Sequence, residues 1–161
     1  MPSHRTRDPF LHDDPPGHAG GAASATPSAE RDGGALPRGD AARAARVLVV
    51  EDNVDAALTL VDLLRIWGHE VCCVHDGPAA VEVAPGYRPE VVLLDIGLPG
   101  MDGYEVARRL RESPETREAL LVAVTGYGQE SDRARSREAG FDHHLVKPVD
   151  LDGLRRLIGS G

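Results

Sequence analysis

Five repeats of a short apolar run followed by a helical pattern predict a doubly wound α/β domain with a five-stranded parallel sheet over residues 46–158. Three observations carry this. Apolar runs recur at Val47–Val50, Val91–Leu94 and Leu120–Val124. Helical patterns, with apolar residues three and four apart, follow strand-like runs in alternation. Aromatic residues make up only 4% of the chain, which favours a core of Val, Leu, Ala and Ile over an aromatic-rich β-sandwich.

The elements follow in order. Val47-Leu48-Val49-Val50 is a strand that stops at Glu51-Asp52-Asn53. Ala56, Ala57, Leu60, Leu63, Leu64 and Trp67 then trace the apolar stripe of a helix, and Gly68 is placed to end it. Glu70 to Val74 is a second strand, and Pro78 to Ala84 a short helix with proline in its first turn. Val91–Leu94 is a third strand, ending at Asp95, and Gly103 to Arg111 the next helix. Leu120–Val124 ends at Thr125, and Ser131 to Ala139 is a polar helix closed by Gly140. His143 to Val146 is a short strand ending at Lys147-Pro148, and Asp150 caps a last helix through Ile158. Strands 1, 3 and 4 are apolar throughout, as expected when helices cover both faces of a sheet. With right-handed crossovers, the ligand site of such a sheet lies beyond the carboxyl ends of its strands.

Composition narrows the function. Asp and Glu balance Arg up to residue 46, so the net charge of −8 lies entirely after it. An acidic domain repels phosphate backbones, which argues against nucleic-acid binding, while a cluster of acids suits a hard cation. Cys72 and Cys73 are adjacent and are read as small apolar residues of a buried strand. No secretory signal and no apolar run of transmembrane length is found, so a soluble, cytoplasmic protein is expected. Residues 1–45 are rich in Gly, Pro, Ala, Ser, Asp and His and are expected to form a disordered tail; residues 159–161 form a short C-terminal one. His4, His12 and His18 in that tail, the Arg38-Gly39-Asp40 tripeptide, and His69, His75 and His143 in the domain carry no specific role in this reading.

The chemistry concentrates at the strand ends. Strand 1 ends in Glu51 and Asp52, strand 3 in Asp95, strand 4 in Thr125 and strand 5 in Lys147. Three converging carboxylates repel one another unless positive charge intervenes. Lys147 supplies one charge and a divalent cation the rest; oxygen-only ligands suit Mg²⁺. With that repulsion screened, Asp95 can attack phosphorus, and Thr125 and Lys147 can each hold a phosphoryl oxygen. Lys147 is the only lysine in a chain whose other basic residues, histidines aside, are all arginine. Each residue alone has a structural explanation, as a helix cap or turn residue. Agreement among four strand ends outweighs that explanation.

Val47-Leu48-Val49-Val50-Glu51-Asp52-Asn53, Leu93-Leu94-Asp95 with Pro99, Asp102 and Gly103, Val124-Thr125-Gly126, and Leu145-Val146-Lys147-Pro148 together resemble the response-regulator receiver family over about residues 46–158. The resemblance implies the strand order 2-1-3-4-5 and two-component signalling. It makes Asp95 the phosphoacceptor, fed by a histidine kinase or phosphotransfer protein. Glu51 and Asp52 become the acidic pair of a Mg²⁺ site, with Asp52 the direct ligand and the Gly97 carbonyl a further one. Thr125 and Lys147 become the phosphoryl contacts, and the Lys147-Pro148 peptide is expected to be cis. Gly126, Tyr127, His144 and Pro148 fall at modulating positions.

Three departures from the family pattern matter. The acidic pair is Glu-Asp rather than Asp-Asp. His144 stands where Phe or Tyr usually moves inward on activation. Gly97 offers no side chain to orient an attacking water and Tyr127 could obstruct it, so slow autodephosphorylation is expected. The resemblance implies no enzyme beyond autocatalytic phosphotransfer and dephosphorylation. Partner binding would switch through the face formed by helix 4, strand 5 and helix 5, in a monomer or a phosphorylation-dependent dimer. No DNA-binding output domain is visible, as in free-standing receivers or those of hybrid histidine kinases. An aspartyl-phosphate phosphatase is the rival enzyme reading, but it typically needs a second acid where Gly97 stands. A glycine-rich nucleotide-binding turn is absent after strand 1, where Glu51-Asp52-Asn53 follows.

Overall fold

A computed structural model describes residues 43–159 apart from Tyr127 and Gln129. The elements alternate without exception: β1 (Arg46–Val50), α1 (Val54–Ile66), β2 (Glu70–Val74), α2 (Gly77–Tyr87), β3 (Val91–Asp95), α3 (Gly103–Glu112), β4 (Leu120–Thr125), α4 (Glu130–Ala139), β5 (His143–Val146) and α5 (Leu151–Gly159). The strands form one parallel sheet in the order β2-β1-β3-β4-β5, as the resemblance implied.

The residues explain the arrangement. β1, β3 and β4 occupy the centre, and nearly every residue in them is buried. Alternate side chains therefore feed two cores. Leu48, Val50, Val92, Leu94 and Leu121 face one, together with Val106 and Leu110 of α3. Val47, Val49, Leu93 and Val122 face the other, with Val61 and Leu64 of α1 and Leu154 and Ile158 of α5. Burial of one such aliphatic side chain contributes about 1.5–3 kcal/mol, so the two layers are the main source of stability.

Local capping fixes where helices begin. Asn53, Asp76 and Asp102 each accept a hydrogen bond from the backbone amide three residues on, starting α1, α2 and α3. Asp150 accepts from the Asp152 amide at the start of α5. α1 and α4 end against Gly68 and Gly140, both at positive φ.

Four expectations need correction. α2 runs on to Tyr87, past Pro85. The proline loses one backbone bond, but Ala84 stays in the core and the Tyr87 hydroxyl donates to the Glu70 carbonyl at 3.1 Å, holding the last turn. Cys72 and Cys73 are half-buried rather than buried, because β2 is an edge strand. His69 is not a surface or strand residue: it is buried between α1 and β2, where its Nδ1 accepts the Ala45 amide at 3.1 Å. Burial pushes its pKa down, opposed by the Glu90 charge. Ala45, grouped with the tail by composition, is itself buried, and its carbonyl accepts the Glu70 amide.

Candidate functional site

The parallel register places the polar strand ends side by side. Asp95 is the last residue of β3 and pairs with Val124, so Thr125 follows one residue beyond it on the adjacent strand. Thr125 pairs with Val146, and the Lys147 amide donates to the Thr125 carbonyl at 2.7 Å. Glu51 leaves β1 with its amide bonded to the Val74 carbonyl of β2. A sheet with this order and register therefore brings residues 44 and 52 positions apart in sequence to one edge.

There the three acids meet. One carboxylate oxygen from each of Glu51, Asp52 and Asp95 lies within 4.8 Å of the others. Glu51 and Asp95 are 7% and 8% exposed, so their charges sit where water screens them poorly. The Lys147 ammonium reaches both, donating to Glu51 Oε2 at 2.9 Å and to Asp95 Oδ2 at 3.2 Å. The remaining oxygens are also directed: the Asn53 amide donates to Glu51 Oε1 at 3.0 Å, and the Gly97 amide to Asp95 Oδ1 at 2.8 Å. Each oxygen keeps a further lone pair.

The charges distort one another. Burial raises the Glu51 pKa, and the neighbouring Asp95 adds to it; Lys147 and the Asn53 amide oppose but do not cancel the shift. Burial works against the Lys147 charge, but its bond to Glu51 and the adjacent Asp95 outweigh it and raise the Lys147 pKa. Asp52 is exposed and makes no hydrogen bond or ion pair among the described residues. One ammonium thus serves two buried carboxylates and leaves the third uncompensated. An oxygen-only donor set with surplus negative charge fits Mg²⁺. Both Glu51 oxygens have protein donors, which leaves Asp52 the freest ligand and gives Glu51 the task of aiming Lys147.

Close backbone packing shapes the rim. The Gly103 amide donates to the Ile96 carbonyl, and a Cβ at Gly103 would lie 2.7 Å from the Asp95 carbonyl oxygen. Only glycine lets α3 begin this close to the backbone of Asp95. Leu98 in the same loop is buried and Pro99 exposed. Gly97 and Gly126 are exposed, and the Lys147-Pro148 peptide is cis. Tyr127 lies outside the described residues. His144 stays away from the acids: it pairs with Ala123 and bonds to Ser136 of α4.

One participant escaped sequence reasoning. His75, expected to have no role, donates from Nδ1 to the Glu51 carbonyl at 2.9 Å and ties the β2–α2 loop to the site. The signal was present, since His75 directly follows the carboxyl end of β2, the same address as the other residues.

Comparison with known proteins agrees with this geometry. The family model described as the response regulator receiver domain matches residues 47–159. Protein PilH of Pseudomonas aeruginosa is 34% identical over 116 residues, covering 72% of this chain and 96% of PilH. The response regulator PleD of Caulobacter vibrioides is 38% identical over 107 residues; the match covers 66% of this chain but 23% of PleD. Among solved structures, the receiver domain of the sensor histidine kinase PA1611 from Pseudomonas aeruginosa, with magnesium coordinated in its active-site cleft, superimposes with a TM-score of 0.67 at 32% identity, covering 73% of this chain and 96% of that domain. The chain belongs to the response-regulator receiver family.

Proposed function

We propose that Asp95 is a phosphoacceptor in two-component signalling. The observation that carries this is the placement of its buried carboxylate within hydrogen-bonding reach of Lys147 and within 4.8 Å of the Glu51 and Asp52 carboxylates. Receiver domains as a family take phosphoryl groups from histidine kinases onto an aspartate and act on downstream partners. In the step proposed here, an Asp95 oxygen attacks the phosphorus of a phosphohistidine. An O–P bond forms, the P–N bond breaks, and the imidazole leaves with the electron pair and takes up a proton.

Lys147 and Thr125 would hold phosphoryl oxygens, and the Gly97 amide keeps the Asp95 carboxylate oriented. Asp52, Asp95 and the Gly97 carbonyl are the residues that would hold Mg²⁺. The ion would neutralise the carboxylates and the incoming phosphoryl oxygens. Once Lys147 turns to a phosphoryl oxygen, its bonds to Glu51 and Asp95 change, and β5 carries that change toward α4 and α5. Partner affinity then shifts because phosphorylation favours one of two arrangements of that face. The protein acts as a cytoplasmic switch with a stored acyl phosphate, not as a turnover enzyme.

The test is incubation with a small acyl-phosphate donor and Mg²⁺, followed by intact-mass measurement. Wild type gains one phosphoryl group and Asp95→Ala none. Equal labelling of the two, or steady release of phosphate from an external phosphoester, contradicts the assignment.

A further inference from the structure

α4 is a polar helix packed beside β5. It buries only Ser136 and Ala139. Ser136 also makes a polar tie to β5, and the details of that tie fix a proton. The Ser136 hydroxyl donates its single hydrogen to the Asp132 carbonyl at 2.9 Å, since a carbonyl can only accept. The His144 Nδ1, 3.1 Å from the same hydroxyl oxygen, must therefore be the donor. His144 is then neutral with its proton on Nδ1, and Nε2 carries a bare lone pair. Nε2 is buried and has no hydrogen-bond partner, the only such side-chain atom among the described residues.

We propose that Ser136 and His144 form a latch between α4 and β5 that closes only while His144 is neutral and carries its proton on Nδ1. A second proton on the ring opens it. Protonation would place an N–H at Nε2, buried and without an acceptor among the described residues.

The surroundings give no relief. The recess shared by the pair, about 200 Å³, is lined by Arg133 and Arg137 of α4 and by His143 of β5 itself. Asp142, from the α4–β5 loop, is the acid there, but its Oδ2 accepts from Arg111 and from the Leu121 amide. From β4 the opposing residue is the uncharged Ala123. Asp132 offers Ser136 its backbone carbonyl, and its carboxylate makes no bond to the ring. An imidazolium must leave this position, and α4 then keeps only Ala139 as a fully apolar anchor. Lys147 follows three residues on, just past the end of β5, so the latch borders the proposed phosphoacceptor site without being part of it.

The latch can be read without any phosphodonor, by long-range nitrogen–proton NMR of the imidazoles in the full chain, with the His144 signals identified by their loss in His144→Gln. At pH 8 the wild-type His144 proton resides on Nδ1, and Ser136→Ala returns it mainly to Nε2. As pH falls through the His144 titration, the amides of residues 130–139 shift in step with the ring. In His144→Gln, which keeps a donor for Ser136 but cannot titrate, that step is lost. A wild-type proton on Nε2, or α4 amides that stay in place while His144 titrates, overturns the latch.

Discussion

Two cations, at opposite ends of the same sheet, do opposite kinds of work. Arg111, at the end of α3, donates from Nε and Nη2 to the Gly140 carbonyl, from Nη2 also to Asp142 Oδ2, and from Nη1 to the Arg117 and Ala119 carbonyls. The longest of these bonds is 2.9 Å. Its planar fork is saturated, so it can bind nothing else. Among the described residues Lys147 reaches two carboxylates, and its side chain is 38% exposed. A compact ammonium on a flexible stem can exchange partners, as the proposed phosphoryl contact requires. Arginine closes the structural pole, and the sole lysine leaves the chemical pole adjustable.

Lys147→Ala separates the two roles most sharply. Loss of one aimed donor to developing charge should slow labelling of Asp95 by a small phosphodonor about a hundredfold, as for other electrostatic stabilisers of phosphoryl transfer. Lys147→Arg should fail to restore the rate, because a fork cannot serve Glu51 and Asp95 as a point charge does. Time courses of intact mass decide this; near-wild-type labelling of either variant breaks the contrast.

Arg111→Ala should do the reverse. Three backbone carbonyls lose a donor and Asp142 keeps only the Leu121 amide, at a cost of about 3 kcal/mol in urea unfolding. Labelling of the folded fraction should stay close to wild type. Arg111→Lys should recover less than half of the loss, since one ammonium cannot reach both loops. Gly140 supports this pole too: it sits at φ +107°, and a Cβ there would approach Arg111 Cγ to 2.8 Å.

Magnesium should stabilise the chemical pole alone. At a hundred times its dissociation constant the ion should add about 2.7 kcal/mol. Asp52→Asn should remove most of that gain, while Arg111→Ala should retain it despite its lower starting stability. A melting temperature of wild type that does not respond to magnesium would separate this acidic cluster from the ion the family uses.

The chemical pole was legible in the sequence and the structural pole was not. Strand ends are marked by a change from apolar to polar residues, so Glu51, Asp52, Asp95, Thr125 and Lys147 could be placed at one edge once the alternation of elements was known. Arg111 reads in sequence as one more arginine on a helix that also carries Arg108 and Arg109. Nothing local says that it turns under the helix to cap two distant loops. Ser136 was hidden similarly: a serine in a polar helix has a solvent-facing explanation, and its partner lies eight residues away on another element. His69 shows the same limit. A ring nitrogen bonded to a backbone group across the sheet leaves no pattern in composition or spacing.

The smallest effect tests the energetic claim behind the adjustable pole, that its charges are held at a cost. The Glu51 pKa is raised in the folded protein, so at pH between its ordinary value of 4.5 and the raised one the folded state binds more protons than the unfolded. Stability therefore falls as pH rises through that window, and the loss is complete once pH has passed the raised value. Lys147 acts oppositely over another range. Its raised pKa adds stability that is full below its ordinary value of 10.5 and lost only as pH climbs through the raised one. Without magnesium at pH 7, Glu51→Gln should thus be slightly more stable than wild type, and the difference should vanish below pH 4.5, where wild-type Glu51 is protonated as well. Urea titrations at the two pH values read this directly. A variant less stable at pH 7 would mean that the Lys147–Glu51 bond outweighs the burial of the carboxylate, and that the pole is held by attraction rather than poised against repulsion.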